Sequence, residues 1–353
     1  MPRPPLNPDA YSPWLNALRG AACLAVVLHH SHLLVEDSSH PILVFMAGLF
    51  DRGWLGVAAF FALSGFLITG IVERRTGDDR QAAAFCLDRA LRIFPAYWVA
   101  WVFAVVLACL AAPFNGRGIP ANWPARAPDI LADLLLTGHW IGIQSPILVN
   151  WSLCYEIGFY LIAAAALLPL FAGAASRILY LAAITLVAHL LPRGSTALLD
   201  LWPQFAAGCA ARLALQSHLA CRLRQAALAY PFGLLLFSLF FGQAAHAVAA
   251  ASALLMVLVV RFGTSWPRPP RLLAALGTIS YSVYLVHLPV MSPAHNLAHR
   301  YISTNSPSYL FFWLGHVLLG LAAGWCFFRL VERPLENFRH RLQGKTPRQI
   351  HSD

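Results

Sequence analysis

The chain has 353 residues, of which 59% are hydrophobic and only 11% are charged, and its mean hydropathy is +0.62. Soluble domains carry about 25% charged residues, so this composition excludes an ordinary soluble protein. The formal net charge of +10 could indicate nucleic-acid binding, but the positive-inside rule of membrane proteins explains it more simply. We therefore expect a lipid bilayer around the chain and no nucleic-acid partner.

Ten apolar stretches predict membrane-spanning helices, at approximately 20–35, 54–72, 93–112, 148–170, 178–192, 199–215, 226–242, 244–260, 274–292 and 308–328. With the N-terminus inside, 20 of the 25 Lys and Arg residues fall in cytoplasmic segments. The five outside are Arg52, Arg117, Arg126, Arg193 and Arg300. The predicted fold is an all-α bundle of about ten spans with both termini cytoplasmic. We expect one membrane domain over 1–330 and a short basic tail over 331–353.

The first predicted span contains the stretch RGAACLAVVLHHSH, from Arg19 to His32. Eleven residues are three helical turns plus about 20°, so Arg19 and His30 share a face and lie about 16 Å apart along the axis. His29 points about 100° away from His30. Ionisable groups inside a membrane are costly and mark functional sites. The alternative is that Arg19 is a topological anchor and His30 makes a hydrogen bond between helices.

Two arginines follow the second span, in FCLDRALRIFPAYW. Arg89 and Arg92 are three residues apart and project from one helix face. Two planar guanidinium groups side by side suit a diphosphate or another polyanion. The alternative is that they bind lipid headgroups and set the topology.

A carboxylate lies at the outer end of the fourth predicted span, in NWSLCYEIGFYLI. Glu156 needs a partner there, and it could hold a histidine tautomer, bind a sugar hydroxyl or pair with an arginine. Interfacial Trp and Tyr residues commonly form a belt at the membrane surface, so only Trp151 joins Glu156 as a candidate site residue.

Another histidine, His287, falls in the ninth predicted span beside Pro289, which could open backbone carbonyl groups. It could assist at the outer end of a site or simply connect two helices. Ser64 and Gly65 favour close helix packing over nucleophilic catalysis, since no G-x-S-x-G context surrounds them. The seven cysteines look like packing residues, and the rings of HHSH diverge around a helix, so we expect no metal site.

Six stretches together resemble the acyltransferase 3 family of bacterial membrane O-acyltransferases: LNALRGAACLAVVLHH, GVAAFFALSGFLITG, DRALRIFPAYW, NWSLCYEIGFY, ISYSVYLVHLPV and VERPLENF. The family's Arg-x10-His pair falls on Arg19 and His30, and its Arg-x-x-Arg on Arg89 and Arg92. Its other motifs fall on Trp151 to Glu156, Ser280 to His287 and Val331 to Pro334. Two departures stand out. Asn16 occupies a position where the family commonly has Asp, and we expect no periplasmic SGNH-type domain.

The resemblance implies transfer of an acyl group, acetyl in the simplest case, from cytoplasmic acyl-CoA to a sugar hydroxyl. The acceptor would be an exopolysaccharide, a lipopolysaccharide or a lipid-linked precursor, at a bacterial inner membrane. His30 and Glu156 would be catalytic, and Trp151 and His287 would bind the acceptor. Arg19, Arg89 and Arg92 would bind acyl-CoA, which is a donor substrate and not a permanently bound cofactor.

Two questions stay open at the level of sequence. His30 could act as a general base, or it could be acylated itself and split the transfer into two steps. A transporter or flippase would also use intramembrane Arg, His and Glu residues. That alternative predicts inverted repeats or matching interrupted segments, and the sequence shows neither.

Overall fold

The structure is a computed structural model that describes residues 13–32, 41–75, 78–115, 123–171, 173–192, 198–298 and 308–342. These residues are almost entirely helical and include no strand, which confirms the all-α prediction. The last part of the predicted basic tail, from residue 343 onward, lies outside them. The α-helices are α1 (Pro13–His32), α2 (Pro41–Phe50), α3 (Gly56–Glu73), α4 (Asp79–Asn115), α5 (Ala127–Leu134), α6 (Asn150–Ala165), α7 (Ala174–Leu190), α8 (Trp202–Leu213), α9 (Cys221–Phe240), α10 (Ala244–Phe262), α11 (Arg271–Thr278), α12 (Ser280–Ala298), α13 (Ser308–Phe327) and α14 (Arg333–Leu342).

The first of two compact units comprises Met1–Val26, Trp54–Cys86 and Tyr155–Thr278. At its centre α3 packs on α8, and α10 packs on both. Glycines make the close crossing of α3 and α8 possible. A Cβ atom at Gly65 would lie 2.1 Å from the carbonyl oxygen of Phe205, and one at Gly208 would lie 1.9 Å from that of Ala62. The prediction that Gly65 serves close helix packing is therefore confirmed.

The second unit comprises Val27–Gly53, Leu87–Cys154 and Ile279–Asp353. Its centre is the pair α12 and α13, which cross closely at Gly324, where a Cβ atom would lie 2.4 Å from Cγ2 of Val283. A π-helical turn, Phe328–Glu332, continues α13 into α14. Such turns interrupt a helix at a cost and occur frequently at functional sites.

The described residues contain five helical segments long and apolar enough to cross a membrane: Pro41–Glu73, Asp79–Pro113, Cys221–Phe240, Ala244–Ser265 and Tyr309–Leu342. A sixth is formed if the pair Arg271–Thr278 and Ser280–Asn296, bent by 80°, counts as one broken span. Six of the ten predicted spans coincide with these segments.

The other four predicted spans fall on α1, α6, α7 and α8, so the count of ten is not supported. Helices α6, α7 and α8 have 16, 17 and 12 residues, fewer than the roughly 20 needed to cross a bilayer. Helix α1 has 20 residues, but polar and ionisable side chains lower its hydropathy.

Candidate active site

The C-terminal end of α1 carries two adjacent half-buried histidines, His29 and His30. The next residue, Ser31, is fully buried and anchors this end of the helix. Its hydroxyl donates to the carbonyl oxygen of Leu28 at 2.7 Å and accepts from the indole nitrogen of Trp313, on α13, at 3.1 Å. Helix α13 therefore holds the turn of α1 that presents the His30 ring. The side chain of His32 lies outside the described residues.

His30 and His287 are hydrogen-bonded to each other, although 257 residues separate them in the sequence. Nδ1 of His30 lies 3.0 Å from Nε2 of His287, and the ring centroids are 5.1 Å apart. On the far side of the pair, Nδ1 of His287 lies 2.8 Å from the carbonyl oxygen of Val283, one turn earlier in α12. The three groups form a chain from the backbone of α12 to the imidazole of α1.

The hydrogen-bond acceptors in this series of three groups determine which ring nitrogens carry protons. A carbonyl oxygen can only accept, so Nδ1 of His287 carries its proton. His287 is 0% exposed, and burying a full positive charge is costly, so its ring is neutral and its Nε2 is an acceptor. Nδ1 of His30 then donates, and the lone pair of a neutral His30 resides on Nε2. The arrangement suits His30 for accepting a proton at that atom.

The start of the same helix, α1, carries Arg19 and Asn16. Because α1 is continuous over Pro13–His32, the prediction that one helix carries both Arg19 and His30 is confirmed. Arg19 is half-buried. The buried amide of Asn16 donates from Nδ2 to Oγ1 of Thr278 at 3.1 Å, a contact to which a carboxylate could not donate. This gives a local reason for the Asn at position 16.

Glu156, on α6, accepts two hydrogen bonds within the first unit. Its Oε1 accepts from the hydroxyl of Ser64 at 2.9 Å and from the hydroxyl of Tyr160 at 2.5 Å. Sequence reasoning assigned Ser64 to packing alone, whereas its hydroxyl also orients this carboxylate. The only sequence signal for the contact is the serine itself, one residue before the packing glycine.

Arg89 and Arg92 lie on α4, as predicted, and both are already engaged with carboxylates of the second unit. Arg89 forms an ion pair with its neighbour Asp88, and Nη1 of Arg92 lies 3.8 Å from Oε1 of Glu336, on α14. Glu332 accepts a hydrogen bond from the hydroxyl of Ser282, on α12.

Trp151 lies half-buried near the start of α6, with its ring centroid 6.4 Å from that of His139. The following residue, Ser152, ties this turn to the helix of His287. Its hydroxyl oxygen lies 2.5 Å from that of Tyr284, which donates to the carbonyl oxygen of Val149 at 3.0 Å. The second unit thus holds Trp151 and His287 in a fixed register through neighbouring residues.

Sequence reasoning missed the fully buried carboxylate of Asp133, on α5. It accepts hydrogen bonds from four side chains at 2.6 to 3.4 Å: Tyr97, Trp101, Ser145 and Asn150. Burial raises the pKa of the Asp133 carboxyl, and the four donors oppose that shift. A single Asp among apolar residues of a short helix gave no local signal of this network.

No group of three or more His, Cys, Asp or Glu side chains is placed to hold a metal ion in the described part of the chain. All seven cysteines lie in that part and are free thiols.

A family model described as an acyltransferase domain matches residues 12–329 of this sequence. The chain belongs to the acyltransferase 3 family. Membership confirms the resemblance carried by the six sequence stretches, and the matched range contains every predicted site residue. No solved structure matches the chain.

Several characterised proteins show partial similarity to the chain. The peptidoglycan O-acetyltransferase OatA of Listeria monocytogenes is 29% identical over 169 residues, which are 43% of this chain and 23% of that protein. The acyltransferase MdmB of Streptomyces mycarofaciens is 29% identical over 157 residues, 42% of this chain and 37% of MdmB. The exopolysaccharide production protein ExoZ of Rhizobium meliloti is 34% identical over 122 residues, 33% of this chain and 35% of ExoZ. The matches thus cover between 23% and 37% of the length of these relatives.

Proposed function

We propose that this acyltransferase 3 protein is a multi-pass membrane O-acetyltransferase that moves an acetyl group from acetyl-CoA to a hydroxyl of a cell-surface glycan. The observation that carries the proposal is the His30–His287 hydrogen bond, because it leaves the lone pair of His30 on Nε2. The similarity to OatA and to ExoZ, a peptidoglycan O-acetyltransferase and an exopolysaccharide production protein by name, supports the transfer to a glycan.

In the proposed reaction, Nε2 of His30 takes the proton of the acceptor hydroxyl as its oxygen attacks the thioester carbonyl. The new C–O bond forms, the C–S bond breaks and CoA leaves as a thiolate that collects the proton. As His30 becomes cationic, its Nδ1–H remains donated to His287, which stabilises the developing charge. A two-step route through an acylated Nε2 of His30 uses the same tautomer.

The remaining roles are carried over from the family motifs. Arg89 and Arg92, with Arg19, would bind the phosphates of the donor. Glu156 would act with the catalytic base or on the acceptor, with its carboxylate oriented by Ser64 and Tyr160. Trp151 would border the acceptor, whereas His287, buried and engaged at both ring nitrogens, would act through His30.

The proposed location is the inner membrane of a bacterium, with both termini of the chain in the cytoplasm. The distribution of Lys and Arg along the sequence supports this orientation. The span count of about ten stays a prediction of the hydropathy pattern, since the helices of the described residues support five to six spans.

The test uses the full chain in nanodiscs with acetyl-CoA labelled in the acetyl group and a panel of peptidoglycan and exopolysaccharide oligosaccharides. Label transfer to an oligosaccharide by the unmodified protein, abolished in His30→Ala with acetyl-CoA binding retained, is the expected result. If the unmodified protein neither binds nor consumes acetyl-CoA, the donor is wrong. Failure of every acyl-CoA tested would overturn the acyltransferase activity itself.

A further inference from the structure

An arginine outside the family motifs is buried with unused hydrogen-bond donors. Arg339 lies on α14 and is 7% exposed. Its Nε and Nη1 atoms are buried and make no hydrogen bond with any described residue. Unsatisfied buried donors are uncommon in proteins and call for an explanation, such as a ligand that the site receives.

The nearest carboxylates to Arg339 are shared with the arginines of α4. Nη1 of Arg339 lies 3.9 Å from Oδ1 of Asp88, the residue paired with Arg89. Nη2 of Arg339 lies 3.5 Å from Oε1 of Glu336, which also faces Arg92 at 3.8 Å. All three distances exceed the range of a normal hydrogen bond, so these ion pairs are loose.

A small cavity beside Arg339 is lined by Arg92, Glu332, Glu336 and Arg339 together with Leu91, Ala96 and Leu335. Its volume of about 20 Å³ has room for roughly one water molecule and not for a phosphate group. The side chain of Glu336 is 35% exposed, and Oε1 also lies 3.8 Å from Nε2 of His340. Among the described residues, Glu336 is thus a partly exposed carboxylate held by three weak contacts and by no short one.

We propose that Arg339 joins Arg89 and Arg92 in a phosphate-binding site, and that Glu336 occupies this site until a phosphate displaces it. The proposal rests on the proposed function, which supplies the phosphate as part of acetyl-CoA. A phosphate offers three strong acceptor oxygens and about two negative charges, which match the unused Nε and Nη1 donors of Arg339. Outward rotation of Glu336 opens the space that the present cavity lacks.

The same chemistry could be supplied by an anionic lipid headgroup, and the experiment separates the two sources. The full chain in nanodiscs is assayed with acetyl-CoA and with S-acetylpantetheine, which carries the same thioester and no phosphate. Both assays are run in zwitterionic and in anionic lipid. The variants are Arg339→Gln, Glu336→Gln and, as the matched control, Arg341→Gln, an exposed arginine of the same helix.

The expected result is that Arg339→Gln weakens acetyl-CoA binding about tenfold or more and leaves turnover of S-acetylpantetheine within about twofold. Glu336→Gln should tighten acetyl-CoA binding, because it removes the competing carboxylate, and Arg341→Gln should change neither. This opposite sign for two residues in contact is not expected of a merely structural cluster.

If Arg339→Gln lowers turnover of acetyl-CoA and of S-acetylpantetheine equally, the proposal is overturned, since the residue then has a folding role. Weaker acetyl-CoA binding in Glu336→Gln would also overturn it. An effect of Arg339→Gln that is present only in anionic lipid assigns the site to a lipid headgroup and overturns the assignment to the donor. If the unmodified protein binds acetyl-CoA and Arg339→Gln binds it equally well, this inference fails while the proposed function stands. If the unmodified protein binds no acyl-CoA, both fail.

Discussion

Replacing His287 tests whether the second histidine sets the protonation of the first. His287→Phe keeps a ring in the buried position but removes the acceptor for Nδ1–H of His30. A buried donor left unsatisfied costs ~1–3 kcal/mol. At 1.36 kcal/mol per tenfold change in rate, kcat for acetyl transfer should fall about 5- to 150-fold. The KM for acetyl-CoA should change little, because binding of its phosphates and pantetheine arm does not depend on the His30–His287 hydrogen bond.

The assay is release of the CoA thiol and label transfer in nanodiscs, with binding of acetyl-CoA measured separately. His287→Gln should recover part of the rate, since its amide oxygen can accept where Nε2 does. The matched control is His316→Phe, which removes another buried histidine, 2% exposed, on α13. Neither ring nitrogen of His316 makes a hydrogen bond within the described residues. A rate for His287→Phe within twofold of the unmodified protein, or an equal fall in His316→Phe, would refute the proposed control of the tautomer.

Three further predictions follow from contacts within single units. Tyr160→Phe removes one of two hydrogen bonds to Glu156 and should lower kcat severalfold without a change in acetyl-CoA binding, measured in the same assays. Asp133→Asn presents an amide NH₂ group to donors such as Asn150 and should destabilise the protein by ~1–3 kcal/mol, seen as a lower midpoint of thermal unfolding. An unchanged midpoint would contradict the network. Gly65→Ala should cost ~1–3 kcal/mol by the same measurement, because its Cβ meets a backbone carbonyl at 2.1 Å.

The sequence predicted the helical class and the long spans well, because both depend on local hydropathy. It could not tell that α6, α7 and α8 are too short to cross a bilayer, since apolar residues continue past their ends into turns.

The candidate site was only partly accessible from sequence for a similar reason. Helical spacing placed Arg19 with His30 and Arg89 with Arg92, since each pair lies on one helix. The contact between His30 and His287 joins residues 257 positions apart, and spacing carries no information about it. Arg339 looked like one more basic residue of a tail, and only its burial distinguishes it.

The hydrogen bond from His287 to the carbonyl oxygen of Val283 has a consequence for how the site tolerates mutation. The group that fixes the proton on the histidine pair belongs to the backbone, so no side-chain replacement at position 283 can delete it. Changes there are limited in size by the facing Gly324 and in polarity by full burial, but neither limit concerns this hydrogen bond. The backbone of α12 therefore sets the proton positions of the histidine pair. Any residue that fits at position 283 leaves the proton on the same nitrogen of His30.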